Sequence, residues 1–240
     1  MTFKGIEFLN YKEKLALFYG IMLGDGCLSS RIYGRHTSYA INITGSLRDD
    51  QEFFRRIVVP VVFVLSGKQV PIRNRYKYGS IEINFHNKNF FGFIKSKGFP
   101  VGKKGHKLRI PGFFHKPNLM KYILQGYFAT DGCLVLTKNP NKFYPRIEAN
   151  SISKPLLFKI YKELMNRGLK GHFYKSKRVT QDKIPKNAQD KYRLQFNGFN
   201  NLLIFSKKIG FINFKHQQRL IKFLKYNELY VRKLKTIPSG

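Results

Sequence analysis

The residues best placed to do chemistry in this 240-residue chain are two aspartates in matching settings. The stretch Phe18-Tyr-Gly-Ile-Met-Leu-Gly-Asp-Gly-Cys-Leu28 is echoed by Leu124-Gln-Gly-Tyr-Phe-Ala-Thr-Asp-Gly-Cys-Leu134. Gly20 matches Gly126, Asp25 matches Asp131, and Cys27 matches Cys133, all at one constant offset. Asp-Gly occurs nowhere else, in a chain with 13 acidic residues against 45 basic ones. One Asp-Gly reads as a turn after a helix. Two in register, where acid is so scarce, read as a site. A carboxylate at a helix C-terminus faces the negative end of the dipole, which costs about 0.3–1 kcal/mol. The last carbonyls of a helix also lack partners. Carboxylate and carbonyl oxygens together suit a hard cation such as Mg2+. Two such sites side by side would each face one phosphodiester, where metal ions activate water and stabilise the leaving oxygen.

The elements that must position these acids follow from the same residues. A helical glycine costs roughly 0.5–1 kcal/mol against alanine, so a compensating contact is expected. Ala16, Gly20 and Gly24 recur at every fourth place in one half, and Gly126 and Thr130 in the other. Each motif helix therefore has a bare face, and the two helices are expected to pack on each other about a pseudo-twofold axis. Gly26 and Gly132 are expected to be the left-handed residues that close them.

The repeat continues past the motifs. Ile41 aligns with Ile147, and small polar residues (44–46 and 150–153) lead into helix-like stretches at Asp49–Leu65 and Pro155–Arg167. Pro60 is expected to kink the first, and Gly67 and Gly168 to stop them. Strand-like runs follow at Gln69–Arg75, Ser80–Phe85, His172–Arg178 and Lys191–Phe196. A short apolar helix then closes each half at Gly98-Phe99 and Gly210-Phe211. The order is αββαββα twice, an α+β chain of tandem pseudo-twofold repeats. The halves are read as 1–103 and 118–240, joined by a Gly-, Pro- and His-rich connector at 104–117.

The net charge is +32, which favours a polyanionic partner, and nucleic acid fits best. A membrane partner is not expected, because the longest apolar run, Ile57 to Leu65, has nine residues and contains Pro60. With 23 Phe, 14 Tyr and 42% hydrophobic residues the chain can build a core, unlike a disordered basic tail. Cys27 and Cys133 are too few for a zinc site or a disulfide framework, and are read as small residues opening a strand. The N-terminus has no secretory pattern. An intracellular setting is expected, either a prokaryotic cytoplasm or a DNA-containing organelle.

These residues resemble the LAGLIDADG homing endonuclease family. Its nine-residue motif matches Phe18–Gly26 and Leu124–Gly132, and two motifs in one chain are similar to its monomeric, pseudo-dimeric members. The resemblance implies two antiparallel four-stranded sheets forming a DNA-binding saddle. It implies an often intron-encoded endonuclease that cuts one phosphodiester on each strand of a long, asymmetric double-stranded target and leaves short 3′ overhangs. Carried over, Asp25 and Asp131 bind the divalent metal (Mg2+ or Mn2+), helped by the carbonyls of Gly24 and Thr130. The family places a basic residue near each scissile phosphate. Lys103 and Lys215, equally far past Gly-Phe, are the candidates. The family's Gln or Lys at the end of the second strand is replaced here by Gly45 and Ser46, and by Asn150 and Ser151.

Saddle strands should carry long polar side chains able to contact bases or phosphates. In the first half these are Arg31, Arg35, Gln69, Arg73, Arg75 and Lys77. In the second they are Lys138, Asn141, Arg146, Lys175, Arg178, Arg193 and Gln195. Tyr33, Tyr39, Tyr76 and Tyr78 are expected to pack at the sheet surface. Two alternatives share the fold: an intron RNA maturase, and a silent nucleic-acid binder that would not need Asp25. The termini show no splicing residues, so an intein is not expected.

Overall fold

The computed structural model describes residues 5–139, 142–176 and 190–235. Its first half runs α1 (Tyr11–Gly24), β1 (Gly26–Tyr33), β2 (His36–Ser46), α2 (Gln51–Phe53), α3 (Val59–Ser66), β3 (Arg73–Arg75), β4 (Ser80–His86) and α4 (Lys88–Ser96). The second runs α5 (Pro117–Thr130), β5 (Gly132–Asn139), β6 (Lys142–Ser151), α6 (Lys154–Asn166), β7 (His172–Ser176), β8 (Lys191–Asn197), α7 (Phe199–Lys208) and α8 (Phe214–Lys235). The expected αββαββα order is present twice. Each half has one antiparallel sheet, ordered β1-β2-β4-β3 and β5-β6-β8-β7.

Local chemistry accounts for the boundaries. Asn10 and Glu13 form a reciprocal capping box that starts α1. Pro117 and Pro155 sit in the first turns of α5 and α6, where a missing N–H costs nothing. Gly67, Gly98, Gly168 and Gly210 have positive φ and lie just past helix ends. Between α2 and α3 the chain stays helical through a π-turn at Phe54–Val58. Proline cannot donate to the preceding turn, and the wider turn absorbs that loss without ending the helix. The predicted strand at Gln69–Arg75 is only Arg73–Arg75, because Pro71 cannot donate to a ladder. The helix α8 was not foreseen. It covers β5 and β6 and buries His216 and Phe223.

The centre of the molecule is the pair α1 and α5, which pack closely against each other. A Cβ on Gly20 would lie 2.3 Å from the Ile123 carbonyl oxygen. A Cβ on Gly126 would lie 2.3 Å from the Leu17 oxygen and 2.7 Å from the Ile21 nitrogen. A Cβ on Gly24 would strike the Thr130 side chain. The two backbones therefore meet as the small-residue spacing predicted. Leu15 to Leu23 and Ile123 to Ala129 are almost wholly buried around this seam. The segment between α4 and α5 packs against the core through Leu108, Ile110 and Phe114, all buried. Val101 makes a parallel bridge to Leu28.

The obstacle at Gly126 is backbone, so it cannot turn aside. Gly126→Ala is expected to destabilise the fold by about 3 kcal/mol, the upper end of overpacking costs. That corresponds to a fall of roughly 6–12 °C in a chain of this size, measured by thermal denaturation.

Candidate nucleic-acid and metal site

Asp25 and Asp131 cap the C-termini of α1 and α5. Because those helices touch along their length, both carboxylates arrive at the same end of the molecule. Asp25 is half-buried, and Asp131 exposes much of its residue surface although protein crowds its carboxyl group. The surrounding protein raises both above the ordinary carboxyl range. Asp25 is pushed to about 7 by desolvation first, then by the charges of Asp131 and Asp50. Asp131 is raised by desolvation, with Lys104 opposing.

The two Asp-Gly glycines do not act as predicted. Neither Gly26 nor Gly132 has positive φ. Each enters its strand directly, and each is held to glycine by backbone, because a Cβ would lie 2.5 Å from Met22 Cα or 2.9 Å from Phe128 Cα. The helix turns straight into the first strand, leaving no loop to move the acid.

Lysine placement also differs from expectation. Lys103 is exposed at the surface. Its neighbour Lys104 instead extends its ammonium to the end of α1, donating to the Gly24 carbonyl and lying 3.4 Å from those of Met22 and Leu23. Burial lowers the Lys104 pKa, and the charges of Asp131 and Asp25 oppose that shift. With two adjacent lysines after Gly98-Phe99, spacing alone could not say which one turns inward. Lys215 stands where its charge is felt at Asp25, but its direct partner is Asp50, at 2.9 Å. Asp50 was not singled out in the sequence. It is buried at the start of α2, and its short, ordinary context gave no signal.

A cation already rests on this site in the form of the Lys104 ammonium. It lies on the Gly24 carbonyl and its charge is felt by both acids, so the donor set fits a hard cation. Among the described residues no group of three or more His, Cys, Asp or Glu is arranged to hold a metal. Any metal here would therefore use single carboxylates completed by carbonyl, water or phosphate oxygens. Thr130 Oγ is turned inward, donating to the Gly126 and Tyr127 carbonyls at 3.2 and 3.0 Å. Gly45 leaves no room for a longer side chain, because its Cβ would lie 2.8 Å from the Phe54 ring and 3.1 Å from Asp50 Oδ2.

The candidate DNA contacts spread over both sheets. Arg31, Arg35, Gln69, Arg73, Arg75 and Lys77 are exposed in the first half, as are Lys138 and Lys175 in the second. Arg146, Arg193 and Gln195 are half-buried. Asn141 and Arg178 lie outside the described residues. Several of these side chains are already engaged. Arg75 pairs with Glu82 at 2.7 Å, and Arg193 and Arg146 pair with Glu148 at 2.5 and 3.9 Å. Lys175 pairs with Asp190 at 2.8 Å, and Gln195 accepts from the Tyr174 hydroxyl at 3.0 Å. Glu82 and Glu148, both buried, were missed because a glutamate in a basic chain looks like scattered surface charge. Tyr39 packs edge-on against Phe91, but Tyr33, Tyr76 and Tyr78 are exposed, since they stand at strand ends and turns beyond the core.

Comparison with known proteins follows this geometry. Residues 118–210 match the LAGLIDADG-like domain family. The homing endonuclease I-DmoI in complex with DNA and Mn superposes with a TM-score of 0.58 at 15% identity, covering 84% of this chain and 98% of that one. The I-LtrWI LAGLIDADG homing endonuclease bound to target DNA gives 0.57 at 11% identity, covering 95% and 92%. The LAGLIDADG meganuclease I-AabMI bound to uncleaved DNA gives 0.58 at 12%, covering 94% and 93%. The chain has the LAGLIDADG fold. Two similar halves, each with one four-stranded antiparallel sheet, are its elements. The chain is also 27% identical over 230 residues to a probable translation initiation factor IF-2 of Methanocaldococcus jannaschii. That match takes in 92% of this chain but only 17% of that protein's length. No helix among the described residues is long and apolar enough to cross a membrane.

Two outcomes are expected. Asp25 is protonated in the folded protein up to about pH 7. In the unfolded chain it ionises near the ordinary value, so its contribution to stability is lost as pH rises between the two. Asp25→Asn should therefore raise the melting temperature at about pH 8 and leave it unchanged at about pH 3.5, where both states are protonated. Glu148→Gln should free Arg146 and Arg193 to meet phosphates. Affinity for random duplex DNA at low salt is expected to rise, and the slope of log affinity against log salt to steepen by about two, read by fluorescence anisotropy.

Proposed function

We propose that this chain is a site-specific endonuclease that cuts both strands of a duplex DNA, using divalent metal held at Asp25 and Asp131. The observation that carries the reading is the convergence of two carboxylates, at the ends of two touching helices, in a protein of net charge +32. A DNA-binding protein has no electrostatic use for acids facing its polyanion, and burial raises the cost of ionising them. A cation between acid and phosphate removes the conflict. Relatives of this fold crystallised with DNA and manganese or calcium support the same assignment.

The divalent ion supplies polarisation of the phosphate and a lowered pKa for bound water. Asp25 and Asp131 would hold it, with the Gly24 carbonyl as an added oxygen. The protein's own groups do the rest. Basic strands bind the backbone and set the register. Burial lifts Asp25 to about 7, so a cation bound beside it would favour the ionised form that serves as a ligand. Lys104 keeps positive charge at the site, aimed at where negative charge grows on the phosphate. Asp131, more open to solvent, serves the second strand.

The maturase and silent-binder alternatives lack a specific observation in their favour. The activity of the longer translation factor is not transferred, because the likeness covers a small part of that protein.

The test is cleavage of a plasmid library of random and candidate insertion sites, with Mg2+ or with EDTA, followed by sequencing of the ends. Discrete double-strand breaks that need metal are expected. Asp25→Asn with Asp131→Asn should abolish them, and Lys104→Met should slow them by about 100-fold or more, as when one charge-stabilising donor is removed. Cleavage that survives in the double aspartate variant would overturn the reading.

A further inference from the structure

Asp50 has no part in the paired-acid scheme, yet it is one of the most fully partnered side chains in the molecule. Its residue is 4% exposed, at the start of α2 in the first half. Oδ2 accepts from the Ser46 backbone N–H at 2.8 Å. Oδ1 accepts from Asn213 Nδ2 at 2.8 Å and from Lys215 Nζ at 2.9 Å, both from the second half. Asn213, fully buried, also donates to the carbonyl of Ala129 at 2.8 Å, two residues before Asp131, and accepts from the Lys215 backbone N–H at 3.1 Å. Three donors on two oxygens hold this carboxylate in one place.

The equivalent position in the second half begins α6 and is Ser153. Its hydroxyl donates to the Leu108 carbonyl of the connector at 2.8 Å, a contact that carries no charge. The two lysines are anchored accordingly. Lys215 is gripped by a buried carboxylate of the opposite half, whereas Lys104 lies on main-chain carbonyls of α1 and near both acids. A buried ion pair with its remaining valences filled restricts a flexible lysine to one rotamer. The carbonyl cluster at the end of α1 holds Lys104 through neutral acceptors, with no carboxylate as its direct partner.

We propose that Asp50 is a positioning residue, which fixes the Lys215 ammonium where the two halves meet near the end of α5 and makes the two half-sites unequal. One strand then depends on a lysine held by a buried carboxylate, and the other on a lysine held by neutral carbonyls. This inference rests on the nuclease reading. Asp50 itself touches neither metal ligand and has no role in the chemical step. Glutamate, one methylene longer, should partly restore the grip. Asparagine, of the same shape, should keep the Ser46 contact and lose the charge.

The experiment uses the full chain and has two arms. The first follows each strand separately on a supercoiled plasmid carrying the site found by library cleavage. Asp50→Asn is expected to slow one strand by about 100-fold, the usual cost of a misplaced reacting group, and to accumulate nicked circles. Lys215→Met should do the same, and the double variant should be no worse than either. Equal slowing of both strands, or losses that multiply in the double variant, would show a merely structural role and overturn the proposal. The second arm needs no DNA. In 15N-lysine NMR the Lys215 ammonium should give a slowly exchanging signal that vanishes in Asp50→Asn and in Lys215→Met while the Lys104 signal stays. A fast-exchanging Lys215 in the unmodified protein would sink the idea even if cleavage is normal. A slow one would sustain the positioning geometry even if no DNA is cut.

Discussion

Everything in this molecule hangs on two helices whose backbones touch. At Gly20 and Gly126 there is no space for even a methyl group, because the obstruction is main chain of the partner helix. Such close approach costs helical propensity at each glycine. It is offset by a seam of buried aliphatic and aromatic side chains on both sides. The contact also settles where the two helix ends lie, and with them the two acids. A wider seam would separate Asp25 from Asp131 and dissolve their mutual influence.

That influence is an electrostatic tension held in place by packing. Two carboxylates share one end of the molecule, and a third, Asp50, adds its field to Asp25. In water such acids would ionise near pH 4, but here desolvation keeps Asp25 near 7. The protein answers with Lys104, from the connector, and Lys215, from the second half, rather than by moving the acids apart. The arrangement makes sense as a place where a cation and a polyanion meet, which is the proposed use of the site.

The sheets add a second kind of pairing. Glu82 and Glu148 are buried next to arginines on strands read as DNA-contacting. In a protein so strongly basic, each pair holds a long side chain still and lowers local repulsion. DNA phosphates would have to compete with these carboxylates for the arginines, and each exchange would leave a buried carboxylate without its partner. The halves solve this differently, with Glu82 on β4 and Glu148 on β6, so duplication of the fold did not bring duplication of the surface.

The sequence by itself determined the duplication, the order of elements, the touching helices and the two acids. Each rests on local rules or on a repeat visible along the chain: the small residues every fourth place, glycines closing helices at 67, 98, 168 and 210, and the paired Asp-Gly. Only the tertiary structure decided which side chains converge on the acids. Lys104 and Lys103 are adjacent and chemically identical, and the choice between them depends on how the segment after α4 folds back under α1. Asp50 and Lys215 lie in different halves, and their pairing is a product of docking one half against the other. Gly26 and Gly132 were recognisable as required, but the reason is a clash with Met22 and Phe128 rather than a left-handed turn. Contacts between residues distant in sequence follow from the shape of the whole, which local propensity and spacing do not encode.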